Sequence, residues 1–170
     1  MQKHHFQGYP FESNYVELPA GSGHTLPRVH YIDEGDQDAT EVILCLHGEP
    51  SWSFLYRHMI PTLVHAGYRV IAPDFIGFGK SDKYTSMENY SHELHTSTLR
   101  LLIEHLELEN ITLVCQDWGG LTGLSVVKDI PDKFSSLVIM NTGLPTGDMT
   151  SDSPGTPVLQ IIKKSKLYHF

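Results

Sequence analysis

One stretch near the middle of the chain constrains the fold more than any other part of the sequence. Residues 111–115 form an apolar, strand-like run, Asp117 interrupts it abruptly, and two glycines, Gly119 and Gly120, open a helical pattern. A strand that turns sharply into a helix in this way forms a nucleophile elbow, which lifts one side chain above a sheet. The turn leaves no room for bulk two residues before or after that side chain, and Cys115 and Gly119 meet this demand.

Asp117 also has a simpler interpretation as the N-cap of the helix, since aspartate is a favoured capping residue. Taken alone, the stretch favours the two interpretations about equally. The loops elsewhere in the chain decide between them.

Strand-like and helical stretches alternate along the chain, which is typical of an α/β fold with a mostly parallel sheet. Six strands are predicted, at residues 15–18, 28–33, 42–46, 69–72, 111–115 and 137–140. Three helices are predicted, at residues 53–66, 91–106 and 119–128. The link between the first two strands is short and begins Pro19-Ala20-Gly21-Ser22-Gly23, so we expect an antiparallel hairpin at one edge.

Composition excludes several classes of function. Twenty acidic and twelve basic residues give a net charge of -8, so nucleic acid is not an expected partner. The polar N-terminus and the lack of any apolar run of ~18 residues predict a cytoplasmic protein without a membrane span. Cys45 and Cys115 lie in apolar runs and are expected to be free buried thiols. No metal site is expected, since His92 and His95 are three apart where a zinc-binding helix needs four.

The loop after the third predicted strand reads His47-Gly48-Glu49-Pro50. In this architecture such a loop supplies one backbone N–H of an oxyanion hole, and the residue after the nucleophile supplies the other. Glu49 and Trp118 are therefore the predicted donors. His47 is expected to brace the loop through hydrogen bonds and not to titrate in catalysis.

The loop after the fourth predicted strand contains Gly79-Lys80-Ser81, which resembles the end of a phosphate-binding loop. The position five before Gly79 is Asp74, where that motif requires glycine. A phosphate site is therefore rejected.

Three motifs, taken together, carry a family resemblance. They are His47-Gly48-Glu49-Pro50, the glycine-containing loop at residues 74–81, and Gln116-Asp117-Trp118-Gly119-Gly120. In this order and spacing they resemble haloalkane dehalogenases of the α/β-hydrolase superfamily, over roughly residues 15–148. Each motif alone is shared with epoxide hydrolases, whereas the Gln-Asp-Trp-Gly-Gly form with Glu after His-Gly is much more specific.

The resemblance implies a small halogenated substrate, or an epoxide as the alternative, and no cofactor. Aspartate is ionised at neutral pH, so Asp117 would displace a halide ion without a general base and form an alkyl-enzyme ester. The indole N–H of Trp118 would bind the halide, while Trp52 is expected to be a packing residue. Water would then hydrolyse the ester. The Glu49 side chain would help to place that water, or would be a plain solvated loop side chain.

In the family, the histidine that activates this water and its acid partner come later in the chain, beyond a cap domain. We therefore expect residues 1–148 to be the N-terminal part of the core and residues 149–170 a linker and the start of a cap domain, with residues 158–170 resembling the start of a helix. Five histidines in predicted helices are not expected to replace the missing base: His58, His65, His92, His95 and His105. Turnover by this chain alone is not expected.

The sequence predicts six of the eight strands that such a sheet usually has. The sixth predicted strand, which contains Val138, Ile139 and Met140, would then be an uncovered apolar edge. Such an edge invites self-association or partner binding. Three hypotheses remain: a dehalogenase-like hydrolase, an epoxide hydrolase that uses the same aspartate, and a non-enzymatic product acting through this edge. A serine esterase is disfavoured because no Gly-x-Ser-x-Gly occurs.

Overall fold

The structure, a computed structural model, describes residues 6–21, 24–143 and 160–163. Its centre is a seven-stranded sheet, accompanied by a small two-stranded ribbon. The strands of the sheet are β1 (Asn14–Val16), β4 (Val29–Glu34), β5 (Val42–Leu46), β6 (Arg69–Pro73), β7 (Ile111–Gln116), β8 (Phe134–Met140) and β9 (Gln160–Lys163). The ribbon consists of β2 (Pro19–Gly21) and β3 (His24–Thr25) and lies in the link where no strand was predicted.

The sheet order is β1-β4-β6-β5-β7-β8-β9. Strands β6, β5, β7 and β8 run parallel, as predicted, while β1 and β4 form the antiparallel pair expected at one edge. Strand β5 lies at the centre and all five of its residues are buried. A strand covered on both faces needs apolar side chains in both directions, which explains the unbroken apolar run.

Helices cover both faces of the sheet. Helix α2 (His92–His105) and helix α3 (Trp118–Asp129) pack on the face that carries Leu44 and Leu46. Helix α1 (Met59–His65) packs on the opposite face, where Ile60 contacts the cluster around Ile43. The alternation of side chains along β5 therefore divides the core into two halves.

The first predicted helix, over residues 53–66, is split in the structure. Ser53–Tyr56 forms a 3-10 turn, and the α-helix begins only at Met59. Pro61 explains the break, because proline lacks the N–H that a continuous helix would donate to the carbonyl of Arg57. Gly67 follows α1 with φ +93, the left-handed conformation expected after a helix end.

Two predictions for the end of the chain are wrong in the described part. Residues 160–163 form a strand and not the start of a helix, and β9 pairs antiparallel with β8. Val138 and Ile139 therefore pair with β9 instead of forming an uncovered edge, and Met140, one residue beyond that pairing, is half-buried like them. An unpaired β8 would expose a row of peptide groups, and the Ile161-Ile162 pair has the β-branched character that suits a strand.

The remaining residues of the predicted linker and cap start, 149–159 and 164–170, lie outside the described residues. Among the helices that the structure describes, none has both the length and the apolar character needed to cross a bilayer.

Candidate active site

Asp117 lies at the sharp turn between β7 and α3. Its backbone has φ 53 and ψ -126, a region that residues other than glycine rarely adopt. Although it occupies the N-cap position, its side chain makes no capping hydrogen bond. Instead, its Oδ1 accepts a hydrogen bond of 2.9 Å from the backbone N–H of Glu49. The capping interpretation of the side chain is therefore wrong, and the carboxylate faces the loop after β5.

Two glycines, Gly48 and the predicted small residue Gly119, make this arrangement sterically feasible. A Cβ on Gly48 would collide with the carboxylate of Asp117, and a Cβ on Gly119 would collide with the carbonyl oxygens of Leu46 and His47. Glycine is thus required at both contacts between these segments: at Gly48, where the loop after β5 meets the turn, and at Gly119, where α3 begins. Cys115, the other predicted small residue, is buried at the end of β7.

His47 anchors the loop that carries Glu49. Its ring is 1% exposed, and Nδ1 donates a hydrogen bond of 2.9 Å to the carbonyl of Gly48. Nε2 accepts a hydrogen bond of 3.0 Å from the backbone N–H of Phe75. Because accepting this bond requires an unprotonated Nε2, the pair of bonds fixes the neutral tautomer. Burial lowers the pKa of His47, against the opposing effects of the Gly48 carbonyl and the Asp74 charge. Both ring nitrogens are occupied, as expected for a brace.

Asp74, the residue whose identity excludes a phosphate loop, connects the two loops beside the site. Its carboxylate is fully buried and accepts bonds from the backbone N–H of Ser53 (2.8 Å), the backbone N–H of Lys80 (2.8 Å) and Nδ1 of His30 (2.9 Å). Burial alone would raise the pKa of Asp74, but these bonds and the charge of His30 hold it below its ordinary value.

The end of β8 supplies two further contacts that the sequence analysis missed. Gln116 pairs with Met140, so Asp117 and Asn141 leave the sheet side by side. The backbone N–H of Asp117 donates to the carbonyl of Asn141 at 3.2 Å, and the hydroxyl of Thr142 donates to the carbonyl of Asp117 at 2.6 Å. Asn141 and Thr142 could have been identified from their position in the sequence, since polar residues at the carboxyl end of a parallel strand commonly belong to a site.

The two tryptophans lie in different surroundings. The side chain of Trp118, at the first residue of α3, is 49% exposed next to Asp117. Trp52 packs among aromatic rings, stacked on Phe54 with centroids 5.5 Å apart and 5.0 Å from Tyr9. Trp52 is therefore a packing residue, as predicted.

The remaining predicted residues are placed as follows. Gln116 is the last residue of β7, and the peptide bond between Glu49 and Pro50 is cis. The ring of His95 packs against that of Phe75, with ring centroids 5.4 Å apart. Phe75 in turn packs against His47 at 4.8 Å.

Both cysteines are free and buried, as predicted. Burial raises the pKa of Cys115 to about 12, so its thiol stays protonated. Within the described ranges, no group of three or more His, Cys, Asp or Glu side chains is arranged to hold a metal ion.

Comparison with known proteins identifies the family to which this arrangement is similar. The profile described as the alpha/beta hydrolase fold matches residues 41–166. A haloalkane dehalogenase of Psychrobacter cryohalolentis is 51% identical over 140 residues, which cover 82% of this chain and 46% of that protein. The chain thus spans about half the length of the curated relatives it matches.

Solved structures agree with this result. The tetrameric haloalkane dehalogenase DpaA of Paraglaciecola agarilytica matches with a TM-score of 0.76 at 51% identity, covering 81% of this chain and 45% of that one. A mutant of Vigna radiata epoxide hydrolase matches with a TM-score of 0.70 at 26% identity, covering 84% of this chain and 42% of that one. The architecture is therefore shared by two kinds of hydrolase.

Proposed function

Because the chain belongs to the alpha/beta hydrolase family, we propose that it is a haloalkane dehalogenase-like hydrolase with Asp117 as its nucleophile. The observation that carries the proposal is the hydrogen bond from the Glu49 backbone N–H to Oδ1 of Asp117. This bond gives the two carboxylate oxygens different roles. Among the described residues Oδ2 has no hydrogen-bond partner, so it is the oxygen free to attack a substrate.

In the first step, Oδ2 attacks the carbon that bears the halogen. A carbon–oxygen bond forms, the carbon–halogen bond breaks, and the halide leaves with the bonding electron pair. No proton is transferred, which suits a carboxylate ionised at neutral pH. The half-exposed Trp118 indole next to Asp117 supports the proposal that its N–H binds the departing halide.

In the second step, water attacks the ester carbonyl, whose oxygen is Oδ1. Negative charge then develops on the atom that already accepts the Glu49 N–H at 2.9 Å. We propose the backbone N–H of Trp118 as the second donor, because the first N–H groups of a helix have no partner within the helix. The Glu49 side chain, which belongs to the same loop, is the proposed guide for the water.

The second step also needs a histidine base, and we propose that the described histidines do not provide one. Both nitrogens of His47 are engaged by the protein itself, and His95 lies against the ring of Phe75. We therefore propose that this chain forms the ester in a single turnover and hydrolyses it slowly.

The test is incubation of the purified chain with 1-bromobutane, followed by intact-mass measurement and peptide mapping. We expect one added butyl group, located on Asp117, and one equivalent of bromide released. Asp117→Ala should form no adduct, whereas Asp82→Ala, which removes an exposed aspartate, should react like the unmodified chain. The absence of an adduct from folded protein would refute the proposal.

Epoxide opening is a second candidate, supported by the similarity to the Vigna radiata epoxide hydrolase. The same Asp117 would attack an epoxide carbon and the ring oxygen would stay in the product, so no ion is released. Parallel incubations with 1,2-epoxybutane and 1-bromobutane separate the two candidates. We expect faster labelling by the bromide, because Trp118 offers an N–H for a leaving halide.

We also propose that the chain self-associates through the outer edge of its sheet. In the structure that edge is β9 and not β8, and an edge strand offers unpaired peptide groups to a second copy. The tetrameric state of the DpaA dehalogenase supports self-association in general. Sedimentation velocity over a hundredfold concentration range should show a growing oligomer, and a constant monomer would contradict the proposal.

A further inference from the structure

We propose that Thr142 is a positioning residue that fixes the peptide between Asp117 and Trp118 through its side-chain hydroxyl. Thr142 lies two residues beyond the end of β8, and its Oγ1 donates a hydrogen bond of 2.6 Å to the carbonyl oxygen of Asp117. The inference rests on the proposed function, because the peptide it concerns carries the proposed nucleophile on one side.

The strained backbone of Asp117 must be held from outside the turn. A residue other than glycine at φ 53 and ψ -126 is disfavoured by sterics and persists only where its surroundings impose it. The N–H of Asp117 is held by the carbonyl of Asn141 at 3.2 Å, and its carbonyl is held by Thr142. These two bonds fix the peptide planes before and after the same Cα, and thereby fix φ and ψ together.

The second of these planes also contains the N–H of Trp118, the proposed donor to the oxyanion. Since a peptide unit is planar, the direction of its carbonyl determines the direction of its N–H. A carbonyl that accepts hydrogen bonds also polarises its amide and strengthens the N–H as a donor. The same carbonyl also accepts helical bonds from the N–H groups of Gly120 at 2.9 Å and Leu121 at 3.4 Å, but those bonds lie within α3 and move with it. Thr142 ties the plane to the sheet.

Gly120 makes the close approach of Thr142 possible. A Cβ on Gly120 would collide with the hydroxyl, the methyl group and the Cβ of Thr142. Glycine at the third position of a helix is otherwise unfavourable relative to alanine by ~1 kcal/mol. The second glycine of the pair therefore has a specific purpose, which is to admit the Thr142 side chain.

Three variants test the proposal in the alkylation assay. Thr142→Val keeps the shape and removes the hydroxyl, Thr142→Ser keeps the hydroxyl, and Thr98→Val is the matched control. Thr98 also donates a 2.6 Å bond to a backbone carbonyl, that of Leu94, but within α2. We expect the limiting rate of Asp117 alkylation to fall about tenfold or more in Thr142→Val, with an unchanged half-saturating concentration of 1-bromobutane. Thr142→Ser should recover most of the rate, and Thr98→Val should keep it.

A second measurement does not depend on reactivity. Amide hydrogen exchange should become faster at Asp117 and Gly120 in Thr142→Val but not in Thr142→Ser, while protection along β5 stays unchanged. If the unmodified chain forms no adduct, the proposed function fails and the exchange data alone decide the role of Thr142. If Thr142→Val does not fold, Gly120→Ala replaces it, because the added methyl group displaces Thr142 while leaving its hydroxyl present.

The proposal is overturned if Thr142→Val matches the unmodified chain in alkylation rate and in exchange at Asp117. It is also overturned if Thr98→Val slows alkylation as much as Thr142→Val, since the effect would then reflect stability alone.

Discussion

Replacing Asp74 by asparagine should destabilise the protein far more than the small chemical change suggests. The carboxylate is fully buried and accepts three hydrogen bonds, one at Oδ1 from Ser53 and two at Oδ2 from Lys80 and His30. An asparagine must turn its NH₂ group toward one of these positions. With the NH₂ group at the Oδ1 position it faces the backbone N–H of Ser53, and at the Oδ2 position it faces that of Lys80. In both orientations two donors meet at about 2.8 Å, where the aspartate has an acceptor oxygen.

The size of the effect follows from the groups left without partners. A buried donor without an acceptor costs ~1–3 kcal/mol, and the NH₂ group of the asparagine is itself a second buried donor without an acceptor. Because asparagine keeps one acceptor in place, we expect Asp74→Asn to lower the free energy of unfolding by about 3 kcal/mol. Asp82→Asn is the matched control, since Asp82 bonds Arg28 at 3.2 Å with its side chain 46% exposed, and it should lose less than ~1 kcal/mol.

Equilibrium unfolding in urea at neutral pH measures both variants, and its pH dependence adds a second check. The pKa of Asp74 is lowered in the folded protein, so the unfolded chain binds its proton first as the pH falls. Its contribution to stability is complete above the ordinary carboxyl pKa of 3.8 and is lost as the pH falls through the lower folded value. The difference between the unmodified chain and Asp74→Asn should therefore shrink in acid. Equal losses in Asp74→Asn and Asp82→Asn at neutral pH would refute this reasoning.

Three further predictions concern the site. Gly48→Ala should slow Asp117 alkylation at least a hundredfold in the mass measurement, because the new Cβ overlaps the carboxylate. Gly143→Ala should leave that rate unchanged, because no atom of the described residues lies within 4 Å of its added Cβ. The pKa of His47 is lowered by burial, so the stability that depends on its neutral ring is complete above the ordinary value of 6.5 and is lost as the pH falls below it. His47→Gln should flatten the urea-measured stability between about pH 7 and 5, and an unchanged slope would contradict a buried neutral His47. Asp117→Gly should raise the free energy of unfolding by about 1 kcal/mol while abolishing alkylation, because glycine relieves the positive φ. Glu107→Gly, at an exposed residue with φ 50, should give the same gain with alkylation intact.

The parts of the fold that local sequence determines were predicted well. Strand β5 matches residue for residue, because an apolar run covered on both faces has few other solutions. The start of α2 was also readable, since the hydroxyl of Ser91 accepts the N–H of Leu94 and caps the helix. The first helix was misread because apolar periodicity outweighed Pro61, whose missing N–H breaks the helix in two.

Predictions that depended on pairing between distant segments fared less well. The mixture of apolar and lysine residues around 160–163 predicted a helix. No strand was therefore expected beside β8, and its edge was expected to be open. Strand propensity is strongly context-dependent, and an available edge can recruit a short β-branched segment that would otherwise suit a helix. Register and edge pairing are long-range properties, so a local pattern does not contain them.

The candidate site also combines features that local sequence determines with features that depend on distant segments. The strand, the aspartate and the glycines of the turn are consecutive, so their purpose was readable from their spacing. The bonds that hold Asp117 in its strained conformation come from residues 49, 141 and 142, far away in sequence and adjacent only through the pairing of β5, β7 and β8. Strain at one residue is tolerated when several independent contacts impose it, so these distant contacts must exist wherever the turn does. A turn of this kind in a sequence therefore predicts where the residues that hold it lie. They follow the carboxyl ends of the two neighbouring strands, even where their identity is unknown.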